Sequence, residues 1–232
     1  GYLRRRKNSY ELDISGHKEE KEYYDDHVKN LFKKEFKENV KTREFQPRNT
    51  YGIRLHKKEI CNALIDLGFP NGRKGDKVKI PKAIFKNKEL IKRFLRGFFD
   101  TDGNLYFARR ASGKYGQFKK TRHYHPRINL TTVSKNLAKD IKKALDTVGI
   151  NYFVYKRKPK NKSWSEETQF NIVGKERINL WMKEIGTKNP VKSTRYKIWK
   201  KFGFCPPNTT LEQRKNILNG RIDINSLYGP IA

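Results

Sequence analysis

Phe94-Leu95-Arg96-Gly97-Phe98-Phe99-Asp100-Thr101-Asp102-Gly103 lies near the middle of the 232-residue chain, and what it forms decides the fold. Together with the preceding residues it predicts a helix from about Lys88 to Asp100. Leu90, Phe94 and Gly97 fall on one face of that helix, with Ile91, Leu95 and Phe98 beside them. The helix ends against its own dipole. Asp100 and Asp102 stand at or just past its C-terminus, where negative charge costs a few tenths to about 1 kcal/mol. Gly103 predicts a left-handed cap. Two interpretations of the acids stand side by side. Asp-x-Asp-Gly is a common turn string. Acids placed against a dipole also fit a divalent cation such as Mg2+, which takes few protein carboxylates and leaves room for water and phosphate oxygens. An EF-hand loop is excluded, because its pattern needs glycine and glutamate where Leu105 and Ala111 stand.

Outward from this helix, one structural unit is written twice. From Gly1, Tyr10–Ser15 alternates like a half-buried strand, and a helix is predicted over Lys18–Phe36 with Tyr24, Val28, Leu31, Phe32 and Phe36 as its apolar stripe. Strands Val40–Phe45 and Tyr51–Leu55 follow, then a helix carrying Ile60, Leu64 and Leu67 and closed by Gly68. From Gly103 the same order returns. A strand and basic loop lead to strand Pro126–Thr131, helix Ser134–Val148 closed by Gly149, strands Tyr152–Arg157 and Thr168–Val173, and a helix with Ile178, Trp181, Met182 and Ile185 closed by Gly186. The helix over Lys88–Asp100 leads only the second copy. Its counterpart is therefore expected upstream of Gly1. Beyond the repeat, Asn189–Phe202 reads as a basic helix, followed by a tail with a short helix near Leu211–Leu218. The expected domains are 1–80, 81–202 and a tail 203–232.

Charge narrows the function. The chain carries 54 Lys+Arg against 24 Asp+Glu, a net charge of +30, so it repels itself when compact and calls for a polyanionic partner. Nucleic acid fits best, because neutralising phosphates releases counterions. No apolar run has the length of a membrane span, and neither an amphipathic anchor nor a signal peptide is visible, so no membrane partner is expected. Cys61 and Cys205 lack metal or disulfide spacing and read as buried thiols, which places the protein inside the cell, in the cytoplasm. His17, His27, His56, His123 and His125 show no metal spacing; His123 and His125 read as surface residues or nucleic-acid contacts.

Leu95 to Gly103, the run-up from Ala83 to Arg93 and the duplicated unit together resemble the LAGLIDADG homing endonucleases, in particular their archaeal members, over about residues 1–202. The resemblance implies an α+β fold of duplicated αββαββα type, with two pseudo-symmetric halves whose sheets form a saddle in the DNA major groove and with the first LAGLIDADG helix missing from this chain. Two such helices would pack through their glycines, here Gly97. Asp102 would be the metal ligand, assisted by the backbone carbonyl of Thr101, with Mg2+ or Mn2+ as the ion. A lysine near the attacking water would be Lys192, with Lys188 behind it, and Lys74 or Lys77 in the first half. The first half's acid would immediately precede Gly1.

Strand alternation nominates the groove-facing side chains. With Leu105 and Phe107 inward, Tyr106, Ala108 and Arg110 face outward, and Arg4, Arg6 and Asn8 match them in the first copy. Arg127, Asn129 and Thr131 form the next outward set, matched by Glu11, Asp13 and Ser15, with Arg43, Tyr155 and Arg157 in addition. Arginine pairs with guanine and asparagine with adenine in the major groove, although phosphate contact serves any of the basic residues equally well. The expected function is a monomeric, site-specific endonuclease that hydrolyses double-stranded DNA with a divalent metal and is encoded within an intron. The alternative is an inactive or maturase-like protein on the same fold, binding DNA or RNA. Protein splicing is not expected, since Gly1 offers no nucleophile and the last residues no His-Asn pair.

Overall fold

The computed structural model describes residues 1–7, 9–72, 75–111, 117, 119–159 and 165–228. Asn8 and Lys74 lie outside these residues. The predicted duplication is present. Strands β1 (Tyr2–Arg6), β2 (Ser9–His17), β3 (Thr42–Phe45) and β4 (Thr50–Leu55) form a sheet in the order β1-β2-β4-β3. Strands β5 (Asn104–Ala108), β6 (His125–Thr132), β7 (Phe153–Arg157) and β8 (Glu167–Val173) repeat that order as β5-β6-β8-β7. Helices α1 (Lys29–Phe36) and α2 (Lys58–Asp66) belong to the first copy, and α4 (Lys135–Val148) and α5 (Lys175–Glu184) to the second. Between the copies runs α3 (Lys88–Asp102), and after them come α6 (Pro190–Phe202) and α7 (Leu211–Leu218). None of the described helices is long and apolar enough to cross a membrane.

The chain divides into two compact units that interleave in sequence. One comprises Gly1–Ile91, Thr132–Ala144 and Lys158–Thr168, the other Lys92–Thr131, Leu145–Arg157 and Gln169–Ala232. In the first, Leu3, Leu12, Tyr24, Val28, Phe32, Ile53, Ile60 and Cys61 are buried in one cluster. In the second, Leu95, Phe99, Leu105, Ile128, Leu130, Ile172, Ile178 and Trp181 are buried, with the Phe99 and Trp181 rings meeting edge to face at 5.3 Å. Alternation on β5 and β6 follows the predicted phase. Leu105, Phe107, Ile128 and Leu130 are buried, while Tyr106, Arg127, Asn129 and Thr131 keep partial exposure on the other face.

Three local expectations fail for identifiable reasons. The helix predicted over Lys18–Phe36 is a 3-10 turn at Lys18–Glu20, a π-helix at Tyr23–Val28 and then α1. The wider π turn puts Tyr23 and Val28, five residues apart, on one buried face. Asp25 meanwhile ties this segment to the sheet, accepting hydrogen bonds from Thr42 Oγ1 at 2.6 Å and Tyr51 Oη at 2.8 Å. Leu31 and Leu67, read as core, are 42% and 53% exposed: α1 buries the neighbouring Phe32 instead, and Leu67 lies just past the end of α2 at Asp66. Finally, α3 runs two residues further than expected, through Asp102, and Gly103 is not left-handed. A glycine is needed there for space: a Cβ at 103 would lie 2.7 Å from Phe99 Cδ2 and 2.8 Å from its Cα and carbonyl oxygen. Gly149, by contrast, does close α4 with a φ of 76°.

Gly103→Ala must therefore push against the Phe99 backbone as well as its buried ring. It is expected to lower the free energy of unfolding by about 1–3 kcal/mol, read as a drop in the denaturant midpoint at unchanged slope.

Candidate functional site

Helix α3 buries Ile91, Leu95 and Phe99, one residue per turn, and this stripe sets the rotation of the two acids at its foot. One turn from the start, Lys92 Nζ meets Glu184 Oε2 of α5 at 2.9 Å. At the far end Asp100 is 1% exposed. Its Oδ1 accepts from Thr187 Oγ1, and its Oδ2 accepts from the Lys188 backbone N–H at 2.9 Å. Its backbone carbonyl accepts from Asn189 Nδ2 at 2.9 Å and Lys192 Nζ at 2.6 Å. Asn189 is fully buried and also caps α6, its Oδ1 accepting from the Val191 N–H at 3.0 Å. The short link from α5 to α6 thus grips the end of α3. The Lys192 ammonium lies on the negative pole of the helix, where a cation is favoured.

Asp102 meets the opposite fate. It is exposed, and one carboxylate oxygen, Oδ2, accepts from Thr101 Oγ1 at 2.8 Å. Thr101 Oγ1 also lies 3.1 Å from the Gly97 carbonyl, which steadies the last turn. Oδ1 has no hydrogen-bond partner among the described residues. No group of three or more His, Cys, Asp or Glu is placed to hold a metal among those residues. The donor set available to a cation here is one open carboxylate and nearby backbone carbonyls. That suits a hard ion which keeps most of its shell for water and phosphate, and not a fully protein-ligated one.

The nominated lysines part company. Lys192 is 6% exposed and committed to the Asp100 carbonyl, with its Nζ 5.5 Å from the Phe99 ring centre. Lys188 is exposed; its backbone is fixed by Asp100 while its side chain reaches solvent. Lys77 ends a 3-10 turn on the first compact unit and is exposed. Gly97 is exposed too, and a Cβ there would meet nothing within 4 Å.

On the partly exposed face of the second sheet, Asn104 stands opposite Asn129 and Tyr106 opposite Arg127. Asn129 accepts from Thr131 Oγ1 at 2.6 Å and donates to Asn171 Oδ1 at 2.9 Å. Arg127 Nη2 donates to the Arg110 carbonyl at 2.9 Å, and its Nε is buried without a partner. Asn171 is a member of this face that strand pairing reveals. Its signal in the sequence was the alternation around it, since Phe170 and Ile172 are buried. Tyr155 and Arg157 lie on β7, exposed along its whole length. On the first sheet Arg4 stands opposite Glu11 and Arg43 opposite Gly52, with the Arg43 guanidinium 5.3 Å from the Phe45 ring. Arg6, opposite Ser9, is exposed. Asp13, expected to face outward, is 8% exposed: Arg54 covers it with Nε at 3.1 Å and Nη2 at 2.7 Å, and Ser15 Oγ adds 2.8 Å.

Residues 89–186 match the LAGLIDADG-like domain. The fold is similar to the crystal structure of the homing endonuclease I-DmoI in complex with DNA and Mn, with a TM-score of 0.52 and 14% identity, covering 80% of this chain and 87% of that one. The I-DmoI complex with DNA and Ca gives a TM-score of 0.51 at 14% identity over 77% of this chain and 78% of that one. In sequence, 151 residues are 31% identical to the replication factor C small subunit of Methanocaldococcus jannaschii, covering 65% of this chain but 7% of that protein, so this chain spans a small fraction of that relative's length.

Because Lys192 serves the helix end and Lys188 serves solvent, the two should separate on mutation. Lys192→Met is expected to cost about 1.5–3 kcal/mol of stability, as for a lost hydrogen bond from a charged group. Lys188→Met should stay within about 0.5 kcal/mol of the parent. Urea unfolding of both variants checks this.

Proposed function

We propose that this chain is a site-specific homing endonuclease of the LAGLIDADG type, cutting double-stranded DNA with Mg2+ or Mn2+; the match of residues 89–186 to the LAGLIDADG-like domain and a fold similar to that of I-DmoI support this reading. The observation that carries the proposal is the division of labour at the foot of α3. Asp100 is consumed by the fold, and Asp102, two residues on, presents an open carboxylate oxygen to solvent. Asp102, with the Thr101 carbonyl, would hold the ion. When bound, the ion supplies Lewis-acid activation and a charge clamp on the phosphodiester oxygens.

The chain's own residues do the rest. Asp100, Asn189 and Lys192 hold the end of α3 rigid, so the Asp102 carboxylate has a fixed position. Lys188, exposed beside the gripped helix end, would orient water or steady a phosphate. Tyr106, Arg127, Asn129 and Thr131 face the duplex, where a two-stranded ribbon fits the major groove, and Asn171 fixes the Asn129 amide. Arg110, Tyr155 and Arg157 extend that surface. Arg4, Arg6 and Arg43 bind DNA in the first half, with 1–80 and 81–202 as the two halves of a monomer. Intron encoding and an intracellular setting complete the proposal, the latter supported by two buried, unpaired cysteines, Cys61 and Cys205.

A second function, binding DNA or RNA without cutting, is favoured by one feature: among the described residues no group of three or more His, Cys, Asp or Glu is placed to hold a metal. Cleavage of a plasmid library of candidate sites separates the two. If the protein cuts, Asp102→Asn should lower the metal-dependent rate on the order of a hundredfold or more, with duplex affinity within about threefold. Undiminished cutting by that variant removes Asp102 as metal ligand. Duplex binding without any cutting by the parent selects the second function.

A further inference from the structure

The connection between β5 and β6 has no equal in the first sheet, where β1 and β2 are joined across residues 7 and 8. Residues 109–124 carry Arg109, Arg110, Lys114, Lys119, Lys120 and Arg122 and no acid. The hairpin does not stop at the last pair of the sheet, Ala108 with His125. Arg110 forms a further antiparallel bridge with Lys119, and the Lys120 N–H donates to the Arg109 carbonyl at 2.9 Å. An arm therefore continues beyond the sheet, and its return strand detours between Lys120 and His125.

The detour is held from outside the repeat. The Cys205 N–H donates to the His123 carbonyl at 3.2 Å, and Trp199 Nε1 donates to the Tyr124 carbonyl at 3.0 Å. The Arg122 guanidinium lies 4.5 Å from the centre of the Phe204 ring and 6.0 Å from that of Tyr228, and those rings meet edge to face at 5.7 Å. Tyr228 Oη lies 3.2 Å from His123 Nδ1. The tail that brings these rings is itself anchored by Arg214, fully buried, whose Nε donates to Thr194 Oγ1 at 3.0 Å.

Cations crowd at the base of the arm. Burial, then Arg109, lowers the pKa of His123; burial, then Arg127 and Lys120, lowers that of His125. The Nε atoms of Arg109, Arg127 and Arg195 are buried without hydrogen-bond partners. Among the described residues, none of Arg109, Arg110, Lys119, Lys120 and Arg122 is paired with an acid. Like charges concentrated this way are costly unless a polyanion neutralises them. The arm also prolongs the strands that carry Tyr106 and Arg127, so the same polyanion can run along both.

We propose that Arg109, Arg110, Lys119, Lys120 and Arg122 form an arm that binds the phosphate backbone of duplex DNA beyond the surface of the second sheet, and that the segment Phe204–Tyr228 is the clamp holding the base of that arm. The arm deepens the DNA-binding function proposed above and rests on it. Two variants of the full chain test it, each by hydrogen exchange and by salt-dependent affinity for a random-sequence duplex. Tyr228→Ala removes the ring of the clamp that meets His123 and Arg122 and keeps every cation of the arm. It should speed amide exchange over residues 119–124 by about tenfold or more and reduce the slope of log affinity against log salt by about 2. The double change Lys119→Ala and Lys120→Ala should reduce the slope by a similar amount while leaving exchange slow. Unchanged exchange in Tyr228→Ala overturns the clamp. A slope that neither variant alters overturns the arm, while a parent protein that binds no duplex overturns the DNA-binding function itself.

Discussion

The end of α3 is the constraint on which the rest of the second unit depends. A helix leaves its last carbonyls without intrahelical partners, and this one adds two acids where its dipole disfavours them. The protein resolves the conflict by splitting the acids. Asp100 turns inward and is satisfied by Thr187 and the Lys188 N–H, while its own backbone carbonyl is met by Asn189 and Lys192. Asp102 is left outside. A buried carboxylate is tolerated only when its lone pairs are filled, so the four residues Thr187 to Pro190 and the start of α6 are shaped by this one side chain. The rigidity needed to present Asp102 is a by-product of satisfying Asp100.

The two sheets repeat one topology but do not repeat one surface chemistry. In the second, Asn129, Thr131 and Asn171 make a neutral network of amide and hydroxyl groups, with Arg127 alongside. In the first, the matching positions hold Asp13 and Ser15, with Arg54 folded over the acid and within 3.5 Å of Glu11. An arginine bound to two carboxylates has less to offer a phosphate than one with an unpaired Nε. The basic β5–β6 connection adds to this difference between the two copies. A duplicated fold can diverge this way because alternation preserves the buried face while leaving the outer face free to change.

Much of this architecture was legible in the residues. The repeat, the order of elements along each copy and the phase of β5 and β6 followed from period-2 and period-3.6 patterns, which reflect burial on one face. Helix α4 was legible to its glycine. Where the pattern misled, a tertiary contact had intervened. The segment before α1 winds as a π-helix because Asp25 is drawn to Thr42 and Tyr51, partners at least 17 residues away in sequence. Gly103 was read as a left-handed cap, yet it is required by the proximity of Phe99, which no local rule anticipates. Asn171 was overlooked because its partner, Asn129, lies 42 residues away on a neighbouring strand.

The sequence by itself determined that an acidic helix end separates two copies of one α+β unit in a strongly basic chain, because periodicity, glycine placement and net charge are local or additive properties. It could not say which of Asp100 and Asp102 serves the fold and which faces solvent, nor that Lys192 is spent on a helix terminus. Those assignments depend on where the loop from α5 to α6 falls relative to the foot of α3, some 87 to 92 residues away along the chain. Only packing brings those groups together, and the desolvation of one carboxylate then decides the exposure of the other.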